Sequence, residues 1–252
     1  MTNPIDSGDL NGRIALVTGA SRGIGRACAI ALARAGAHVV AAARTQGALE
    51  ELDDEIRTQT SATATLTPFD LVDGGAIDRL GGAVFERFGR LDILVHAAAT
   101  LGMPTPVSHL DPRDWAKVVS INLTATYRLI RSFEPLLKAS DAGRAVFFTT
   151  GVVARPRAFF GAYAATKAGV EGLVRCWADE IENTPVRALI INPGPMRTRM
   201  RAEAFPGENP ETLPAPDEIT PLVLELISGA ASPAASMATI NFADWKAART
   251  RA

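Results

Sequence analysis

Short apolar runs alternate with helical patterns along almost the whole chain. The first run, residues 13–18, is followed by a glycine-rich turn and a helical pattern that ends at Ala35, before Gly36. Strands that alternate with helices pair in parallel, because each crossover helix returns the chain to the same edge of the sheet with a right-handed turn. We therefore predict an α/β protein whose doubly wound parallel sheet of about seven strands carries helices on both faces.

The other predicted elements continue this alternation. Strands are predicted at residues 37–43, 64–69, 91–95, 144–150, 186–192 and 237–242, and helices at 46–59, 74–88, 112–133 and 161–181. Neither a repeat nor a linker divides the sequence, so residues 1–252 are predicted to form one domain. We expect residues 1–11 to be flexible, and the proline-rich region at about 195–221 to be a mobile substrate-loop insertion.

The charge balance and the two cysteines exclude several classes of partner. With 26 basic and 27 acidic residues the formal charge is −1, which gives no long-range attraction to nucleic acid or an anionic membrane. Cys28 and Cys176 lie in helical patterns, which favours buried thiols in a reducing compartment over a disulfide framework or a metal site. Residues 1–11 lack the pattern of a signal peptide, and no apolar run reaches the ~20 residues of a membrane span. We expect a soluble, cytoplasmic protein.

A glycine-rich turn follows the first predicted strand and opens a helix. It reads Thr18-Gly19-Ala20-Ser21-Arg22-Gly23-Ile24-Gly25. Glycines at such a turn let the backbone approach a pyrophosphate, whose charge then lies over the first amides of the helix. A turn of this composition can also be merely structural, but its position between strand and helix favours a Rossmann-type dinucleotide site.

The residue at the end of the second strand bears on the choice of dinucleotide. An acidic residue there holds the ribose 2′-hydroxyl of NAD, whereas this chain has Ala43 and then Arg44. A guanidinium can bind a 2′-phosphate through paired hydrogen bonds, and Arg22 is a second candidate for the same phosphate. The alternative is two solvated surface arginines. We predict NADP(H) as the cofactor in preference to NAD(H).

Tyr163 and Lys167 form the second chemical signal. They lie four residues apart in a predicted helix and share a face, so the ammonium can favour the ionised form of the phenol. A phenol titrates near pH ~10 without such help, so the pair is suited to proton transfer. With the glycine turn, it indicates a nicotinamide-dependent oxidoreductase.

Five motifs in this order resemble the short-chain dehydrogenase/reductase family over nearly the whole chain. They are the glycine motif at 18–25, Asp70 with Leu71 as the pair that contacts adenine, Asn122, the pair Tyr163 and Lys167, and Pro193-Gly194 with Thr198 as the segment that holds the nicotinamide. Residues 197–206 and His96 further resemble a poorly characterised bacterial branch of the family. That branch implies no known substrate.

The resemblance implies a role for each polar residue of the site. Tyr163 would be the general acid in reduction, Lys167 would lower the pKa of the phenol and bind the nicotinamide ribose, and Asn122 would hold a water in the proton relay. The family's serine is absent, and Thr150, thirteen residues before Tyr163, is the candidate to replace it. The alternative is a structural threonine at a strand end, and neighbouring Thr149 leaves the register uncertain by one residue.

The fourth strand departs from the family pattern. His96-Ala97-Ala98-Ala99 stands where the family usually has Asn-Asn-Ala-Gly. Ala97 and Ala98 are expected to border the cofactor, and the methyl group of Ala99 is expected near the adenosine ribose. We interpret His96 as a hydrogen-bonded core residue in preference to a catalyst.

The substrate is left open. Arg155, Arg157, Arg197, Arg199 and Arg201 follow strand ends and could attract a carboxylate or an acyl-carrier thioester, or they could simply be solvated. Phe159 and Phe160 could instead form an apolar wall.

Two classes of function remain. The first is an NADP(H)-dependent enzyme that interconverts a carbonyl and an alcohol, and the alternative is a dinucleotide-binding sensor or structural module.

The predicted helix at 161–181 carries small residues at Ala164, Ala165, Ala168, Gly169 and Gly172. The resemblance implies that this helix packs against its copy in a homodimer or homotetramer.

Overall fold

A seven-stranded parallel sheet forms the centre of the protein. The computed structural model describes residues 10–228 and 238–250. The strands are β1 (Ile14–Thr18), β2 (His38–Ala43), β3 (Thr65–Pro68), β4 (Ile93–His96), β5 (Arg144–Phe148), β6 (Arg187–Asn192) and β7 (Thr239–Asn241). Their order is β3-β2-β1-β4-β5-β6-β7, and every pair is parallel. The prediction of a doubly wound parallel sheet is confirmed.

Helices cover both faces of the sheet. They are α1 (Gly23–Arg34), α2 (Gln46–Thr60), α3 (Gly74–Phe88), α4 (Pro112–Val119), α5 (Ala125–Lys138), α6 (Gly151–Ala154), α7 (Gly161–Glu180), α8 (Arg199–Ala204), α9 (Thr220–Ser228) and α10 (Phe242–Thr250). Alternate residues of β1 point to opposite faces. Ala15 and Val17 pack in one core with α1, α2 and α9, whereas Ile14 and Leu16 pack in a second core with α3, α5 and α7.

The helix predicted at residues 112–133 is interrupted and longer than expected. A π-helical turn over Ser120–Thr124 separates α4 from α5, and α5 continues to Lys138 with Pro135 inside it. Proline is unfavourable inside a helix, because it cannot donate a hydrogen bond to the preceding turn. Burial of Leu136 on the sheet side of the helix favours the longer helix.

A buried carboxylate joins the amino-terminal ends of the central strands. The side chain of Asp92 is 1% exposed and accepts hydrogen bonds from the Ile14 amide (2.8 Å), the Ser140 hydroxyl (2.6 Å) and the guanidinium groups of Arg13 and Arg90. Burial alone would raise the pKa of Asp92, but these partners together hold it below its ordinary value. This polar network occupies the amino-terminal edge of the sheet. A ligand site is expected at the opposite edge, where the strands have their carboxyl ends.

Three observations correct or limit the sequence predictions. Leu10 is buried and its amide donates to the Ala35 carbonyl, so the flexibility expected for residues 1–11 does not extend to this residue, while residues 1–9 lie outside the described chain. Cys28 is buried as expected, but Cys176 is exposed because it lies on the face of α7 that points away from the sheet. Residue 237, the predicted start of the last strand, lies outside the described residues.

The element after the last strand was not predicted. The chain turns directly from β7 into α10, whose Phe242 is buried in the core formed with α1, α2 and α9.

Among the residues that the structure describes, no helix is long and apolar enough to cross a membrane.

Candidate active site

A cavity of about 740 Å³ lies at the carboxyl edge of the sheet, where the turns after β1, β2, β3, β4, β5 and β6 converge. Nearly all of the site residues predicted from the sequence line it: Gly19, Ser21, Arg22, Gly23, Ile24, Gly25, Arg44, Asp70, Leu71, Ala97, Ala98, Thr150, Tyr163, Lys167, Pro193, Gly194 and Thr198. Asn122 is not among the lining residues.

The glycine turn forms a tight cradle at one end of this cavity. Gly19 has φ +69°, and a Cβ there would lie 2.8 Å from the amide nitrogen of Ala98. A Cβ on Gly25 would overlap the carbonyl oxygen of Gly19. The side chain of Arg22, the N-cap residue of α1, makes no hydrogen bond to the first amides of that helix within the described part of the chain. The cradle therefore fits a pyrophosphate approaching the helix amides.

Arg44 lies at the far end of the cavity, after β2. Its side chain is 62% exposed, and its guanidinium lies 3.9 Å from the Asp70 carboxylate, a weak surface contact. Arg22 is also exposed at this end and lines the same cavity. The two arginines predicted to bind a 2′-phosphate are therefore both accessible to a ligand in the cavity.

The carboxyl end of β5 resolves the ambiguity between the two threonines. The Thr150 hydroxyl forms a hydrogen bond with the Tyr163 phenol, and it also accepts from the Val152 amide at the start of α6. Thr149 instead donates to a carboxylate oxygen of buried Glu171 at 2.5 Å. Only Thr150 is therefore joined to the phenol.

Tyr163 and Lys167 share a face of α7, one helical turn apart, and burial shifts the pKa of each. Burial raises the pKa of Tyr163 to about 12, with the Thr150 hydrogen bond opposing that shift. Burial also lowers the pKa of Lys167 to about 8, and its ammonium donates to the Phe148 carbonyl at 2.8 Å. Burial is thus the largest influence on the phenol, and the ammonium is directed to the end of β5. That Lys167 lowers the pKa of Tyr163 stays a prediction.

Asn122 lies beneath the cavity, in the π-helical turn between α4 and α5. Its side chain is bound on every side: it accepts from the Thr100 amide (2.8 Å) and donates to the Thr100 carbonyl (2.9 Å) and the Thr166 hydroxyl (3.1 Å). Its own carbonyl accepts from the Thr126 hydroxyl at 2.7 Å. Since Thr166 lies on α7, these contacts fix α7 against the loop after β4.

His96 is a core residue, as interpreted from the sequence. It is buried, its Nδ1 shares a hydrogen bond of 2.7 Å with the Thr18 hydroxyl, and its ring packs edge-on against Phe147. Burial lowers the pKa of His96 to about 3, with the nearby Lys167 charge adding to the shift. A histidine that stays neutral in this way is not suited to proton transfer near pH ~7.

The segment after β6 returns to the glycine turn. Gly194 has φ +69°, and its amide donates to the Asn192 side chain at 3.1 Å. Thr198 caps α8 through the Arg201 amide, and its methyl group would contact a Cβ placed on Gly23. Residues 193–198 therefore form the wall of the cavity that faces the glycine turn.

The substrate end of the cavity has an aromatic wall that differs from the predicted one. Phe160 lines the cavity and stacks on Phe205 with ring centroids 5.7 Å apart. Phe159 is 54% exposed, has φ +72° and is not a lining residue, so its predicted part in the wall is wrong. Phe205 and Lys117 line the cavity but were missed, since neither belongs to a motif and only the fold brings them to this edge.

No group of three or more metal-binding side chains capable of holding an ion occurs within residues 10–228 and 238–250.

Comparison with known proteins gives a consistent result. The family model described as short chain dehydrogenase matches residues 13–209. The uncharacterised oxidoreductase YciK of Escherichia coli K12 is 40% identical over 220 residues, covering 86% of this chain and 87% of the relative. An NADPH-dependent pterin aldehyde reductase of Arabidopsis thaliana is 30% identical over 222 residues, covering 86% and 90%.

A crystal structure agrees with these sequence matches. The short-chain dehydrogenase from Escherichia coli CFT073 complexed with NADPH has a TM-score of 0.89 and 38% identity, covering 93% of this chain and 98% of that chain. The resemblance to a poorly characterised bacterial branch is confirmed.

Proposed function

The chain belongs to the short-chain dehydrogenase/reductase family of oxidoreductases, and within that family we propose that it interconverts a carbonyl and an alcohol with NADP(H) as cofactor. The observation that carries this proposal is the hydrogen bond between Thr150 and Tyr163, next to Lys167, in a cavity that also holds a pyrophosphate cradle. A general acid and its partners are thus close to a dinucleotide site.

The cofactor would be held along the whole cavity. We assign the pyrophosphate to the glycine turn, with Ser21 and Ile24 beside it, and the 2′-phosphate to Arg44 and Arg22. The remaining lining residues would contact adenine and its ribose (Asp70, Leu71, Ala97, Ala98) and the nicotinamide riboside (Tyr163, Lys167, Pro193, Gly194, Thr198). When bound, the nicotinamide supplies or accepts a hydride. The NADPH-bound relative at 38% identity supports this assignment.

The protein's own residues handle the proton. In reduction, Tyr163 donates its phenolic proton to the carbonyl oxygen, while the Thr150 hydroxyl orients the same oxygen. Lys167 provides positive charge beside the developing phenolate. We place Asn122 in the relay as the residue that holds a water, as the family resemblance implies. Its side-chain bonds to Thr100 and Thr166, and the bond of its main-chain carbonyl to Thr126, fix its position beneath the cavity.

Cofactor choice tests the arginine assignment directly. We expect the protein to bind NADPH at least about tenfold more tightly than NADH, and Arg44→Ala to remove most of that difference, because paired charged hydrogen bonds to a phosphate are lost. Isothermal titration with both cofactors measures this. The affinity for NADH is the internal control and should not change. Equal binding of both cofactors by the unaltered protein would refute the assignment.

A dinucleotide-binding module with little catalysis is the second candidate. It is favoured by the pKa of Tyr163, which burial raises to about 12, since a phenol held this firmly protonated is a weak acid. A turnover screen of aldehydes, ketones and quinones with NADPH distinguishes the two, because a binding module would reduce none of them.

We also propose that α7 packs against its copy in a homodimer or homotetramer. Ala165, Ala168 and Gly172 are exposed on one face of this helix, and small side chains allow two helices to approach closely. Light scattering at micromolar concentration should then give at least twice the chain mass of 26.6 kDa. A monomer mass would refute the assembly.

A cytoplasmic location is proposed as well, which cell fractionation would test. Its support is that Cys28 and Cys176 are free thiols, as expected in a reducing compartment.

A further inference from the structure

The substrate end of the cavity carries an excess of positive charge. The basic residues that line it are Lys117, Arg155, Arg157, Arg197, Arg199 and Arg201. Within residues 10–228 and 238–250, two of them form ion pairs: Arg199 binds Glu203 at 2.8 Å and Arg201 binds Glu208 through two hydrogen bonds. Arg197 also lies within electrostatic range of Glu218. Because the whole chain has a formal charge of −1, this excess is local and not a general property of the surface.

Arg155 and Arg157 are the two arginines best placed to reach a substrate. Within residues 10–228 and 238–250, neither side chain makes an ion pair or a hydrogen bond to protein. Arg155 follows the four-residue helix α6, whose N-cap is Thr150, so its backbone lies about 7.5 Å along the helix axis from that of the threonine that contacts Tyr163. The guanidinium of Arg157 lies 5.7 Å from the centre of the Phe205 ring.

These arginines are separate from the ones assigned to the cofactor phosphates. Arg44 follows β2 and Arg155 follows β5, and the sheet order β2-β1-β4-β5 places three strand spacings between them. At about 4.8 Å per spacing, that is on the order of 14 Å across the carboxyl edge. The two arginines at the substrate end therefore lie apart from the position assigned to the 2′-phosphate, and they are available to a different negatively charged group.

The space between the two arginines and the phenol has an apolar wall. Phe160 and Phe205 stack at 5.7 Å, and the guanidinium of Arg201 lies 3.8 Å from the centre of the Phe205 ring. Because Glu208 already binds Arg201, this third arginine acts as a support for the wall. The site thus presents an apolar surface with positive charge at its outer edge.

We propose that the substrate is a small carbonyl compound that carries an oxyanion group, a carboxylate or a phosphate, bound by Arg155 and Arg157 while its carbonyl faces Tyr163 and Thr150. This inference rests on the proposed function, because it assumes that the carbonyl is reduced at Tyr163. Two guanidinium groups without carboxylate partners match an oxyanion through charged hydrogen bonds, and the aromatic wall fits the carbon skeleton between the two ends.

Matched aldehydes test the proposal. The probes are 4-carboxybenzaldehyde and 4-formylphenyl phosphate, with 4-methylbenzaldehyde as the neutral control. We expect kcat/KM with NADPH to be at least about tenfold higher for one or both anionic probes, and the double variant Arg155→Gln/Arg157→Gln to lower it by about 10–100-fold while leaving the neutral aldehyde unchanged. Arg113→Gln is the matched control, since Arg113 is exposed on α4 and does not line the cavity.

The outcomes separate this proposal from the proposed function. Equal reduction of charged and neutral probes, or a double variant with unchanged kcat/KM for the anionic probes, would overturn the oxyanion site but leave the reductase intact. If no probe is reduced, titration of 4-carboxybenzaldehyde and 4-formylphenyl phosphate into the protein with NADPH decides. Binding that is lost in the double variant supports the oxyanion site, whereas binding that is absent or independent of the two arginines overturns it.

Discussion

Replacing Tyr163 with phenylalanine is expected to lower turnover by about 10²–10⁴-fold, the usual contribution of a positioned general acid. The phenolic hydroxyl is the only group removed, so the ring packing on α7 and the affinity for NADPH should remain nearly intact. The measurement is kcat at saturating NADPH for any reducible aldehyde, with the NADPH dissociation constant measured in parallel. Unchanged turnover would exclude Tyr163 as the proton donor.

Variants of Thr150 separate the hydroxyl from the fold around it. Thr150→Ser keeps the hydrogen bond to Tyr163 and should retain or raise activity, because it removes a methyl group from the cavity. Thr150→Ala should lose activity if the hydroxyl orients the substrate. Full activity in Thr150→Ala would remove the threonine, but not the tyrosine, from the mechanism.

Loss of the Lys167 charge is expected to have the second large effect, and it should be visible in the pH profile. Burial lowers the pKa of Lys167 to about 8, so its ammonium is present below that pH and is lost as the pH rises through it. Tyr163, with its pKa raised to about 12, stays protonated over the same range. Carbonyl reduction should therefore be steady from about pH 6 to about pH 8 and fall above it.

Lys167→Met is the variant that tests this assignment, because methionine keeps most of the buried stem and removes the charge. We expect turnover to fall about 10²-fold, NADPH binding to weaken, and the decline above pH ~8 to disappear. Steady-state rates across the pH range with both proteins provide the comparison. A profile of the unaltered protein that stays flat to about pH 10 would contradict the role of the ammonium.

The sequence predicts the sheet well, and it identifies most of the residues that line one end of the cavity, because those features are local. A Cβ at Gly19 or Gly25 would overlap backbone atoms, so the turn requires glycine at both positions. The strands beside the turn are recognised from their hydrophobic pattern alone. Pro135 within α5 was not predictable, because burial of distant side chains favours the continued helix over the local preference of proline.

The hydrogen-bond partners of the charged and polar side chains in the site depend on the fold. They could not be predicted from the spacing of residues along the sequence. The distance of four residues correctly placed Tyr163 and Lys167 on one face, but it could not show that the ammonium turns to the Phe148 carbonyl. The same holds for Asn122, whose side chain is committed to Thr100 and Thr166 by contacts between distant segments.

The close packing of Gly19 on the backbone of Ala98 explains how the altered fourth strand remains compatible with a ligand site. The turns after β1 and β4 touch through main-chain atoms, so their relative position does not depend on the amide side chains that are missing at residues 96 and 97. Main-chain contacts of this kind are made when the protein folds, and the cradle then loses little conformational entropy on binding. More of the interaction free energy with a dinucleotide is thereby retained as affinity.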